Sequence, residues 1–111
     1  MATETGESAE GPTREAIDRM EGPVLLEFGT SWCPHCRNLA PRLAALLEEY
    51  PAVVHIQVED GPGQPLGRSF RVKLWPNLIF LRDGKALRQL ARPEIQEVRE
   101  GLEAIAGRPP G

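Results

Sequence analysis

Two apolar runs constrain this chain more than any other feature. "VLLEF", Val24–Phe28, is short and continuously apolar apart from Glu27, as expected of a strand covered on both faces. "VVHIQVE", Val53–Glu59, is rich in β-branched residues and reads as a second strand. Between them Cys36, Leu39, Leu43, Leu46, Leu47 and Tyr50 recur at three- and four-residue spacing, which defines one apolar helix face. Arg37, Arg42, Glu48 and Glu49 fall mainly outside that face. A strand, a helix and a second strand in this order imply a parallel crossover, right-handed by the steric rule for such units.

The flanking segments extend the pattern. Thr13 can cap a short helix reaching about Met20, which "EGP" at Glu21–Pro23 breaks. The helix after "VLLEF" starts at Cys33 or Pro34, because proline suits a first helical turn, and Pro41 inside it should kink it. A loop, Asp60–Gly67, leads to a turn of helix from Pro65 to Phe70. "NLIFL", Asn77–Leu81, is a third strand, and "RDG" turns it into a fourth near Ala86–Leu90 as an antiparallel hairpin. Pro93 can open a last helix whose buried stripe is Ile95, Val98, Leu102 and Ile105, ended by Gly107. The reading is α/β: a mixed four-stranded sheet flanked by about four helices. The domain would span residues 13–107, with a flexible arm over 1–12 and a flexible tail over 108–111.

Composition narrows the function. A chain of 111 residues is one small domain, and 41% hydrophobic content suits a packed core. A net charge of −3 with scattered arginines leaves no basic footprint, so no nucleic-acid partner is expected. "MATETGESAEGP" is acidic, with neither a basic nor an apolar leader region, and no apolar run is long enough to cross a bilayer. A cytoplasmic protein without a membrane partner, monomeric by default, is the expectation.

The only two cysteines stand in "SWCPHCR", Ser31–Arg37. A bridge between Cys33 and Cys36 would close too short a loop to restrain the unfolded chain much, so a structural staple is a poor explanation. Two thiolates with His35 could hold copper or part of a zinc site. There is, however, no second Cys-x-x-Cys and no spaced histidine pair to close a tetrahedral site within the chain, and no metal is expected. A third chemistry open to such a pair is thiol–disulfide exchange. A cysteine at a helix start lies near unpaired N–H groups and the positive end of the helix dipole, which favour its thiolate. Cys33 is therefore the expected nucleophile, and Cys36, one turn along and expected to be the more buried, the resolving thiol.

A Cys-x-x-Cys pair opening a helix directly after a strand resembles the thioredoxin family. The likeness extends to "SWCPHC", to Glu27 six residues before Cys33 where the family commonly has a buried Asp, and to Pro41. "VKLWPNLIFLRDG", Val72–Gly84, resembles the family segment carrying its cis-proline and hairpin glycine. The resemblance covers roughly residues 13–106. It implies a redox-active Cys33–Cys36 disulfide and no bound cofactor. It also implies a disulfide-containing client protein or small disulfide as substrate, and a reductase that recycles the pair. Net reduction of clients is the expected direction in a cytoplasm held reducing. A thioredoxin fold used only for binding, as an assembly factor, is a further alternative.

The departures are specific. Pro34–His35 replaces the usual Gly-Pro and resembles the dipeptide of bacterial periplasmic oxidants, whose large helical insertion this chain lacks. A protonated His35 beside Cys33 would favour the reduced form and make the disulfide more oxidising; otherwise His35 is an exposed loop residue. Glu27 lies in an apolar strand, where desolvation would favour its protonated form and allow it to relay a proton to or from Cys36. The alternative is a strand-end carboxylate open to water. The resemblance implies a cis bond between Trp75 and Pro76, with the backbone there pairing with an extended substrate. Trp75 is then either part of that platform or simple packing against Trp32, which covers the rim. His55 reads as a structural or surface histidine. The glycine that the family places near the end of the last strand is missing around Leu90–Arg92.

Overall fold

The computed structural model describes residues 12–108; residues 1–11 and 109–111, which hold nearly all of the expected arm and tail, lie outside the described residues. Among the described residues eight elements follow in order: α1 (Arg14–Asp18), β1 (Pro23–Gly29), α2 (Pro34–Leu47), β2 (Val54–Glu59), α3 (Pro65–Ser69), β3 (Asn77–Arg82), β4 (Lys85–Ala91) and α4 (Ile95–Ala106). The strands form one sheet in the order β2-β1-β3-β4. β1 runs parallel to β2, while β1–β3 and β3–β4 are antiparallel. This is the mixed four-stranded sheet with four helices that the sequence predicts.

Alternation along β1 sorts its side chains between two cores. Val24, Leu26 and Phe28 join Ile17 of α1, Leu66 of α3 and Ile79 of β3 on one face. Leu25 joins Leu39 and Leu43 of α2, Phe80 of β3 and Leu102 of α4 on the other. Period two thus places Glu27 on the α2 face. The register pairs Leu25 with His55 and Glu27 with Gln57, so the polar residues of β2 share that face. β2 is an edge strand, and His55, Gln57 and Glu59 are not buried, whereas Ile56 and Val58 are.

Local signals account for the boundaries. The Thr13 hydroxyl accepts from the Ala16 N–H at 3.1 Å and caps α1. Asp83 and Gly84 both have positive φ, 53° and 80°, as a two-residue type I′ hairpin requires. α4 differs from the expectation that Pro93 opens it. Glu94 is the N-cap, forming a reciprocal capping box with Glu97, so two orphan N–H groups are satisfied by side chains and the proline lies one residue outside. No helix among the described residues is long and apolar enough to cross a membrane.

α4 packs tightly on the sheet at Gly101, where an added Cβ would come within 2.6 Å of the fully buried Phe80 ring. Overpacking of this kind costs about 1–3 kcal/mol. The helix propensity gained by replacing glycine returns only about 1 kcal/mol. Gly101→Ala is therefore expected to lower stability by up to about 2 kcal/mol, read as a lower urea midpoint at unchanged slope. Wild-type or greater stability would show that Phe80 yields and the approach is not limiting.

Candidate active site

β1 ends at Gly29, and the chain turns through Thr30–Trp32 into α2. Cys33 is the N-cap of α2 in extended backbone, and Pro34 occupies the first turn, where a missing N–H leaves no hydrogen bond unmade. The Cys36 N–H donates to Cys33 Sγ at 3.2 Å. The sulfur thus fills the acceptor role that a serine or aspartate oxygen usually plays at a helix start, a role a thiolate fills better than a thiol.

The two sulfurs open onto different cavities, and their burial corrects the expectation. Cys33 is the more enclosed residue, 4% exposed, while Cys36 is only partly buried. Cys33 lies in a cleft of about 310 Å³ between the Trp32–His35 turn and the segment Lys73–Trp75, with Arg92 on the same wall. Cys36 lines a larger cavity, about 410 Å³, together with Glu27, Gln57 and Glu59. The α2 face of β2 is uncovered and polar, and this leaves that cavity open to water. The sequence reading placed Cys36 deeper because it lies further along an apolar helix face, but that face runs off the edge of the covered sheet at its first turn.

Openness does not make Cys36 the nucleophile. Its sulfur is pressed against the backbone, since a Cβ on Gly29 would stand 2.7 Å from it. Desolvation is the first cause that pushes the Cys36 thiol up to about 11. The hydrogen bond with Cys33 and the charges of Cys33 and Glu27 add to this, and a backbone hydrogen bond from Thr30 opposes it. At neutral pH about one Cys36 thiol in ten thousand would be ionised, so the better-exposed cysteine is the weaker attacker.

Glu27 is 7% exposed and does not stand alone. His55 Nε2 lies 2.7 Å from Glu27 Oε1, and Gln57 Nε2 donates to the same oxygen at a longer 3.4 Å. His55, read from sequence as a structural or surface residue, is thus a partner of the buried carboxylate. Oε2 has no hydrogen-bond partner among the described residues and remains available on the cavity that Cys36 shares. The one signal in the sequence is the alternation of "VHIQVE", which puts His55 and Gln57 on one face but names no partner strand.

On the Cys33 side the Trp75–Pro76 bond is cis. Pro76 is buried and does not line the cleft, whereas Trp75 does. Trp75 also meets Trp32 edge to face, with centroids 5.5 Å apart, so both readings of it apply. Its indole Nε1 donates to Asp60 Oδ2 at 2.8 Å, which anchors the ring from the loop after β2. Trp32 is 66% exposed and His35 is exposed at the rim. Among the described residues no group of three or more His, Cys, Asp or Glu side chains is placed to hold a metal ion.

Comparison with known proteins agrees with this geometry. The family model described as Thioredoxin matches residues 7–104. Thioredoxin 2 from Pseudomonas aeruginosa PAO1, in its reduced form, is 50% identical with a TM-score of 0.78, covering 90% of this chain and 94% of that one. Thioredoxin Asp f 28 from Aspergillus fumigatus is 28% identical over 86 residues, 77% of this chain and 80% of its own. Protein disulfide-isomerase A2 from Pongo abelii is 46% identical over 69 residues, 58% of this chain but only 13% of that protein. The metal-module and binding-only alternatives are not favoured by these relatives. The family works through a redox-active cysteine pair without a bound cofactor, acts on disulfide substrates and is recharged by a reductase. A family-model match over residues 7–104, on a chain with a cysteine pair at the head of α2, makes it a member of the thioredoxin family and a thiol–disulfide oxidoreductase.

Proposed function

We propose that the protein reduces client disulfides in the cytoplasm, with Cys33 as the attacking thiolate and Cys36 as the resolving thiol. The observation that carries this assignment is the pairing of an N-capping Cys33 sulfur with a Cys36 thiol pushed up to about 11. The Cys33 thiolate attacks one sulfur of the client disulfide, a mixed disulfide forms and the first client thiolate leaves. Cys36 then gives up its proton and attacks the Cys33 sulfur. The Cys33–Cys36 bond forms and the second client thiolate departs, so the client gains two electrons and the pair is oxidised by two. A reductase must return those electrons before the next turnover.

A thiol pushed so high needs a base for the second step. Glu27 supports that role, because it shares the cavity with Cys36, and His55 and Gln57 hold one oxygen while the other is free. His35, at the cleft mouth, sets the potential through its charge, and Trp32, Trp75 and Pro76 shape the client platform.

Three outcomes test the reading. Cys36→Ser should accumulate a mixed disulfide at Cys33 with clients in a lysate of reducing cells, visible by non-reducing electrophoresis and abolished by Cys33→Ser. Trapping through Cys36 in Cys33→Ser instead would reverse the assignment. Glu27→Gln should slow the resolving step about tenfold at pH 7. The sign follows from the thiol: as pH rises toward 11, Cys36 ionises without help and the variant should catch up with wild type. Equal rates at every pH would remove the relay role. His35→Pro should make the disulfide harder to reduce by about 10–20 mV, the equivalent of one exposed charge interaction, and an unchanged potential would leave His35 a bystander.

A further inference from the structure

We propose that Arg92 makes the Cys33 cleft selective for extended client polypeptides that carry Asp or Glu beside the disulfide. The inference rests on the reading of this cleft as the client site. Arg92 follows the last residue of β4 and has φ +50°, in the left-handed region that glycine fills most easily. Nothing in the turn requires a side chain there. The Arg92 N–H donates to the Pro76 carbonyl at 2.8 Å, and its Nε donates to the Trp75 carbonyl at 2.8 Å. Backbone and side chain therefore grip both carbonyls of the cis segment and hold the guanidinium on the cleft wall opposite Cys33's turn.

The two Nη atoms of Arg92 have no hydrogen-bond partner and no carboxylate among the described residues. Lys73, on the same wall, is likewise unpaired among them. No Asp or Glu among the described residues lines the cleft, although the chain carries 16 acidic against 13 basic residues. Asp60, which accepts from the Trp75 indole, lies outside it. The main chain points the same way. The Trp75 N–H has no partner among the described residues, whereas its carbonyl is occupied by Arg92. The walls thus offer one main-chain donor and two free cations around exposed apolar surface from Trp32 and Leu74. The complement is a polypeptide supplying a main-chain carbonyl at Trp75, an apolar contact and a carboxylate within reach of Arg92.

The test uses reduced full-length protein and three cyclic peptide disulfides, identical except for Glu, Gln or Lys at the residues flanking one cysteine. Second-order rates of protein oxidation are followed at low salt. The Glu peptide should react about fivefold faster than the Gln peptide, the scale of one favourable exposed ion pair, and the Lys peptide more slowly than either. Arg92→Gly, which also frees the backbone from its left-handed constraint, should reduce the Glu-to-Gln ratio to about twofold or less, as should added salt. Arg88→Gln, a charge loss remote from the cleft, should keep the wild-type ratio. Equal rates for the three peptides, or an Arg92→Gly ratio as large as wild type, would overturn the proposal while leaving disulfide exchange standing. Oxidised glutathione reacting faster than the Glu peptide would also overturn it, by making a small disulfide the occupant. Failure of every disulfide to oxidise the protein would instead reject the exchange reading, and this one with it.

Discussion

Leu25, Leu26 and Phe28 of β1 have no solvent exposure, and the rest of the molecule is arranged around keeping them that way. Each such side chain contributes about 1.5–3 kcal/mol when fully buried. A strand buried on both faces needs a helical layer on each side and a neighbour on each edge, which α1 and α3, α2 and α4, β2 and β3 provide. Its carboxyl end is then the one place where the strand's own chain emerges to form a site. Cys33 stands there because the connection from Gly29 to α2 begins there.

The same constraint explains why a carboxylate can live in that strand. A buried charge without partners is costly, and Glu27 is nearly covered. β2 is an edge strand whose α2-facing side is left open, so His55 and Gln57 can reach the carboxylate while the cavity beside them admits water. Cys36 opens onto that polar cavity and Cys33 onto the aromatic cleft. One helix turn therefore separates two environments, one suited to proton transfer and the other to client docking.

The architecture was largely legible because its signals are local. Thr13, the Asp83–Gly84 pair and the apolar stripes of α2 and α4 act over one or two turns of chain. α4 starts at Ile95, two residues beyond Pro93, because the reciprocal bonds of Glu94 and Glu97 compete with the proline signal, and a side-chain box satisfies more backbone donors than a proline removes. The relative burial of the cysteines was misjudged because helical periodicity tells which residues share a face but not where the covering sheet stops.

From the sequence alone came the reactive pair, its position at a helix start after a buried strand, and the exchange chemistry that follows. Those properties depend on residues within a few positions of one another. Tertiary structure alone decided that His55 meets Glu27, 28 residues away, and that Arg92 grips the Trp75 carbonyl, 17 residues away. It also decided that Cys36 packs against Gly29 while Cys33 shares a cleft with Trp32 and Trp75. Strand register and crossing loops set these meetings, and neither a period of two nor one of 3.6 encodes which distant partner a side chain will face.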